Sequence, residues 1–296
     1  WSVPNVPAPF VGSIPAPGIY RGARINAMQF RADRELPIPK PDRTFRIFLT
    51  GGSTAYGSGS PDQERTIGGY LAEILGRDLT PRTGMSYEVF TMANPAWAST
   101  HERIIIENRL SELEPDLVIS FSGANDVHWG ILGQNVFWFR TYADEFFQNL
   151  IKRVYRLTER EIPEIIPAAG KEDIPPPLVA QRLVKNVRLS AFALSRPHVA
   201  YVFILQPTLS TTGKHPSGRE RKYLRHREYF QECYSRMDRE LKSLHAENFT
   251  YINLSGIFDQ MDDQEDIFLD SYHFGDKGNE MVARQIYSHI NQMIIK

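Results

Sequence analysis

The chain has one cysteine, Cys233. A single thiol closes no internal disulfide and cannot build a zinc site alone, so the fold has to rest on its apolar core. With 296 residues, 42% of them hydrophobic, the chain is long enough to bury one. Cys233 lies between Glu232 and Tyr234 in a stretch that reads as helix, and a half-buried structural thiol is expected there. The chain also lacks any run of about 18 apolar residues, so no segment is expected to span a membrane. An excess of one charge is missing too. The formal net charge of -1 offers no strong field for nucleic acid or an anionic surface. The short run Arg219-Glu220-Arg221-Lys222 reads as a solvated helix face. No internal repeat stands out, no further Cys or His lies at metal-ligand spacing beside Asp270 and His273, and no metal or organic cofactor is expected.

What is present is an alternation of strands and helices. Residues 1–43 are rich in Pro and Gly and read as an extended arm closing with Pro37-Ile38-Pro39-Lys40-Pro41. From residue 44 to 296 a single domain is expected. Phe45–Leu49, Tyr87–Met92, Leu117–Phe121, Tyr201–Leu205 and Tyr251–Leu254 are short apolar or β-branched runs that predict strands. Helical spacing predicts helices over Thr66–Leu75, Glu102–Leu113, Arg225–His245 and Lys277–Ile294. This order implies an α/β fold with a parallel sheet covered on both faces. Residues 128–185 interrupt it with Trp129, Phe137, Trp138, Phe139, Phe146 and Phe147, then Pro163, Pro167 and Pro175–Pro177. A mostly helical insertion with a Pro-rich loop is expected, serving either as plain packing or as a wall beside a site.

Three short stretches carry chemistry. Ser53 follows a strand and two glycines, at the carboxyl end where α/β proteins bind ligands. Asp270-Ser271-Tyr272-His273 puts an acid three residues before a histidine, so that the acid can orient the ring and the ring can serve as general base. Gly123-Ala124-Asn125-Asp126 follows another strand, and Asn125 there can aim an amide N–H at a developing oxyanion. Each stretch alone also reads as an ordinary turn.

Taken in order, these stretches resemble the SGNH hydrolases, also called GDSL-type esterases and lipases. Gly51-Gly52-Ser53-Thr54-Ala55-Tyr56-Gly57 looks like the first block of that family in a Gly-Gly-Ser variant, Gly123-Ala124-Asn125-Asp126 like its Gly-x-Asn-Asp block, and Asp270-Ser271-Tyr272-His273 like its Asp-x-x-His block. The likeness runs from about residue 43 to the C-terminus, with Gln206-Pro207 in a connecting region. It implies a flavodoxin-like three-layer sandwich with a five-stranded parallel sheet. It also implies a serine esterase or acetylesterase, possibly acting on an acylated glycan. Ser53, His273 and Asp270 would form the triad, Asp126 would brace its turn, and the N–H groups of Ser53 and of a second-block residue would join Asn125 in an oxyanion hole.

That second block departs from the family pattern. Aligned on Glu88-Val89, Pro95 and Ser99, the usual glycine is replaced by Ala96, and a small shift puts Asn94 or Ala98 there instead. Alanine donates its N–H equally well at negative φ and is strained at positive φ. The alternatives are an acyl transfer to a sugar hydroxyl and a weakly active domain that binds a glycan or a partner. The chain opens on Trp1 rather than Met, so a longer or processed polypeptide is expected. The resemblance favours a secreted, periplasmic or N-terminally anchored placement.

Overall fold

The computed structural model describes residues 3–133, 142–161, 173–195, 197–262 and 264–295, with backbone alone for 142–148. Phe137, Trp138, Phe139, Pro163 and Pro167 lie outside the described residues, as do the side chains of Phe146 and Phe147.

Five apolar segments form the central sheet: β5 (Thr44–Gly51), β6 (Ser86–Ala93), β7 (Leu117–Ser122), β8 (Ala200–Leu205) and β9 (Phe249–Asn253). All pairings are parallel, in the order β6-β5-β7-β8-β9. Successive residues of a strand face opposite sides, and both sides are apolar here. Phe48, Val118 and Phe203 point into one cluster, under α4 (Ser99–Asn108), α7 (Pro176–Ser195) and α8 (Arg227–Lys242). Ile47, Leu49, Ile119 and Val202 point into the other, under α2 (Ile67–Asp78) and α9 (Asp276–Ile295). Burying a side chain of that size stabilises by roughly 1.5–3 kcal/mol, which is why no cross-link is needed.

Helix starts follow local chemistry. Thr66 caps α2 by accepting from the Gly69 N–H at 2.9 Å. The helix expected from Glu102 begins earlier, at Ser99, and breaks after Asn108 into a 3-10 turn at Leu110–Glu112. The stretch 128–185 contains the end of α5 (Ala124–Ile131), all of α6 (Tyr142–Leu157) and the first half of α7, which packs on α4 and α8 as the crossover between β7 and β8. Two short helices are single turns, α1 (Ser53–Tyr56) and α3 (Thr80–Thr83). Among the described residues no helix is long and apolar enough to cross a membrane.

The N-terminal segment forms two small hairpins, β1 (Asn5–Ala8) with β2 (Gly12–Pro15) and β3 (Gly18–Tyr20) with β4 (Ala23–Ile25). Arg31 then bridges Thr91 in antiparallel fashion at the open edge of β6. Two surface readings change. Cys233 is fully buried in α8, not half-buried, and burial pushes its thiol up to about 12. Glu220 is not solvated either, because its carboxylate is needed inside. It pairs with buried Lys214 at 2.8 Å and accepts from the N–H groups of Ser217, Ile267 and Phe268. Burial raises this carboxyl, but Lys214 and those three amides outweigh it and hold it below the usual range.

Candidate active site

In the order β6-β5-β7-β8-β9 the chain runs one way from β5 to β6, then crosses back past β5 and continues the other way through β7, β8 and β9. Such a switch point opens a crevice at the carboxyl ends of the strands. Ser53 follows β5, Ala96 follows β6, Asn125 follows β7, and Asp270 and His273 lie in the loop between β9 and α9.

The structure brings Ser53, His273 and Asp270 together in one line. His273 Nε2 is 2.6 Å from Ser53 Oγ, and His273 Nδ1 is 2.7 Å from Asp270 Oδ2. Asp270 Oδ1 accepts from the N–H groups of Tyr272 and His273 at 2.8 and 2.9 Å. Partial burial raises the Asp270 carboxyl, yet the bonds from His273 and these amides bring it below its ordinary value, so it stays ionised at neutral pH. This carboxylate can hold Nδ1–H and leave Nε2 to take the Ser53 proton. Further ties hold the loop: Ser271 Oγ donates to the Tyr223 carbonyl at 2.6 Å, Leu209 N–H donates to the Ser271 carbonyl at 3.1 Å, and Glu220 takes the amides of Ile267 and Phe268.

Ser53 opens the single-turn helix α1, so its N–H has no acceptor inside the helix. The two glycines before it have different jobs. Gly51 has φ of 154° and abuts the Phe121 carbonyl, leaving no room for a Cβ. Gly52 has an ordinary φ of -85°, but a Cβ there would run into Nδ2 of Asn125 and the carbonyl of Trp97. The Asn125 amide therefore lies directly against the peptide that leads into Ser53. It donates to the Trp97 carbonyl at 2.7 Å, and its second hydrogen has no partner among the described residues.

Ala96 has φ of 69°, in the left-handed region. A non-glycine residue there costs roughly 1–2 kcal/mol. The neighbours hold the turn: Trp129 Nε1 donates to the Ala96 carbonyl at 3.1 Å, and Asn125 holds the next carbonyl. Asn94, one of the two alternatives to Ala96, points away and donates to the Ser13 carbonyl at 3.0 Å. The other, Ala98, donates its N–H to His101 Nδ1 at 3.1 Å. Burial pushes the His101 ring down to about 4, so this nitrogen is an acceptor at neutral pH. Asp126 is fully buried and accepts from both Ser99 N–H and Ser99 Oγ, at 3.0 and 2.6 Å, which ties it to the start of α4 and keeps it away from Ser53.

Sequence reasoning missed how much α5 does. Asn125, Asp126 and Trp129 fasten the loop of residues 96–99, and His128 Nδ1 meets the Tyr272 hydroxyl at 3.0 Å. Burial lowers the His128 ring and pushes the Tyr272 phenol up to about 12, so the two groups meet uncharged at neutral pH. The i, i+3 and i, i+4 spacing from Asn125 to His128 and Trp129 was a usable signal, since it puts all three on one helix face.

The model of the GDSL-like Lipase/Acylhydrolase family matches residues 49–281, most of the chain and every residue of the line Ser53–His273–Asp270. A search of curated proteins finds no match. Among solved structures, the lipase Lip_vut3 from a goat rumen metagenome is 12% identical, covers 82% of this chain and 96% of its own, and superposes with a TM-score of 0.52. A putative GDSL-like lipase from Parabacteroides merdae is also 12% identical, covers 82% of this chain and 94% of its own, with a TM-score of 0.52. At that identity the two structures support the fold, and the family model supports more. The chain belongs to the GDSL-like lipase/acylhydrolase family and is a carboxylic ester hydrolase.

Proposed function

We propose that Ser53, His273 and Asp270 are the catalytic triad and that the substrate is a small acyl ester, such as an acetyl group on a glycan hydroxyl. The observation that carries this reading is the unbroken line from Ser53 Oγ through both nitrogens of His273 to Asp270. His273 Nε2 removes the Ser53 proton as Oγ forms a bond to the ester carbonyl carbon. The carbonyl oxygen becomes an oxyanion, received by the Ser53 N–H, the Ala96 N–H and the second hydrogen of Asn125 Nδ2. When the tetrahedral intermediate collapses, its C–O bond to the alcohol breaks and His273 returns the proton to the leaving oxygen. Water, deprotonated by His273, then attacks the acyl-serine and releases the acid, and Ser53 recovers its proton.

The test is a p-nitrophenyl ester series from acetate upward, together with labelling by a fluorophosphonate. Ser53→Ala is expected to lose on the order of 10⁵- to 10⁶-fold in kcat and all labelling. A Ser53→Ala enzyme that turns over like wild type sinks the assignment. A preference for long acyl chains would sink the substrate class and leave the triad standing. Product analysis with an added sugar acceptor distinguishes hydrolysis from transfer, since transfer yields a new acyl-sugar.

A further inference from the structure

Arg31 lies in the N-terminal segment, outside the span matched by the family model, and is 5% exposed. Its backbone is fixed first: Arg31 N–H donates to the Thr91 carbonyl at 2.9 Å, and Thr91 N–H returns the bond at 3.3 Å. Its guanidinium then reaches behind the nucleophile. Nη1 donates to the carbonyls of Tyr56 and Gly57 at 2.8 and 3.3 Å, Nη2 to the Gly22 carbonyl at 2.7 Å, and Nε to Gln63 Oε1 at 3.0 Å. The guanidinium also sits over the Tyr56 ring, 5.1 Å from its centre.

Tyr56 is the last residue of α1 and Ser53 is the first. A helix of one turn has almost no stability of its own, because nucleation costs more than one turn returns. Its position comes from what holds its ends. At the far end the Ser53 carbonyl accepts from Gly57 and Ser58 and the Thr54 carbonyl from Gly57, while Arg31 takes the carbonyls of Tyr56 and Gly57. A cation at the carbonyl end also suits the helix dipole. The same segment touches the second loop of the site, where Ser13 accepts from Asn94.

The geometry points to Arg31 as a positioning residue: the N-terminal segment reaches over the sheet edge and sets where α1, and so Ser53 Oγ, stands relative to His273. The kinetic half of this inference rests on Ser53 as nucleophile; the structural half does not. The control is Arg109, which ties the same segment elsewhere, donating from Nη2 to the Met28 carbonyl at 2.7 Å without touching α1.

Arg31→Ala, Arg31→Lys and Arg109→Ala are compared in the full chain. Hydrogen exchange at the amides of Tyr56, Gly57 and Ser58 needs no turnover and is read first. It is expected to quicken at least about ten-fold in Arg31→Ala, less in Arg31→Lys, and not at all in Arg109→Ala. With an ester substrate, kcat is expected to fall on the order of 10- to 100-fold in Arg31→Ala with KM nearly unchanged, and Arg31→Lys to recover part of it. Wild-type exchange in Arg31→Ala overturns the inference, and so does an equal effect in Arg109→Ala, which would mean general loosening of the segment. If Arg31→Ala fails to fold, Gln63→Met removes the acceptor that Nε shares with the Arg24 N–H, leaves the bonds of Arg31 to Tyr56 and Gly57 in place, and is expected to quicken the same exchange by less than Arg31→Ala; wild-type exchange there overturns the inference. Full turnover by Ser53→Ala would sink the triad while the exchange result still decides the role of Arg31.

Discussion

Two loops bring backbone to the site, and they solve the same problem differently. The loop after β5 needs an unusual path into Ser53 and uses Gly51 and Gly52, residues with nothing to clash. The loop after β6 needs a left-handed residue and uses Ala96, at φ of 69°, held by Trp129 and by the Asn125 bond to the neighbouring carbonyl. One loop is permitted by missing side chains and the other is compelled by present ones. Strained conformations persist only where the surroundings over-determine them, and here α5 provides those surroundings. A glycine is therefore not the only way to supply this turn, and its absence from a motif does not by itself mean a broken site.

The largest effect should come from filling the first loop. Gly52→Ala drives a methyl into the Asn125 amide and the Trp97 carbonyl, so it disturbs both loops at once. Kinetics should show kcat falling about 10²- to 10³-fold, comparable with removing one oxyanion donor. Asn125→Ala should match it; a Gly52→Ala enzyme with normal kcat would mean that Asn125 has room to move.

Next comes the helix that follows the second loop. Glu102 on α4 is buried, and burial pushes its carboxyl up to about 8, with the nearby Asp126 adding to the rise. Raising the folded pKa favours the protonated form, so stability is full below the unfolded value and declines as pH rises towards about 8. Thermal melts of Glu102→Gln should lose that slope, and above pH 8 the variant should melt higher than wild type. Parallel melting curves at every pH would count against it.

Trp129→Phe keeps the ring and deletes the donor to Ala96, leaving a carbonyl unpaired at a cost of about 1–2 kcal/mol. Its kcat should fall more than its KM changes. The smallest effect, and the sharpest comparison, is Ala96→Gly. Relief of the left-handed strain should stabilise by about 1 kcal/mol, a rise of roughly 2–4 °C in Tm. If clamping is what holds alanine in place, Ala96→Gly should also soften the damage of Trp129→Phe, which a double-mutant cycle reads directly.

The sheet was legible because its inner strands are runs that both faces bury, as Leu117–Ser122 illustrates. The Asp270–His273 pair was legible because it is local, three residues within one turn. Ser53 and Asn125 could be placed at strand ends for the same reason. The sequence did not disclose what those residues lean on. Arg31 meets Tyr56, Trp129 meets Ala96 and Tyr272 meets His128 across separations that no periodicity encodes. Glu220 misled for a related reason: among Arg219, Arg221 and Lys222 it looks like one more surface charge, and only the fold brings Lys214 and two loop amides to it. Ala96 sat between these cases. Its position was readable, and its backbone angle depended on a helix that starts 28 residues later.

Two of the four tryptophans, Trp97 and Trp129, flank Ala96. Trp97 lies nearly parallel to the His101 ring at 6.2 Å, and Trp129 is bonded through its indole to the turn itself. Emission from an indole shifts with its polarity and its hydrogen bonds. The protein thus has an optical reporter built into the loop that carries Ala96, and a covalent serine inhibitor titrated against native fluorescence would follow that loop without any label.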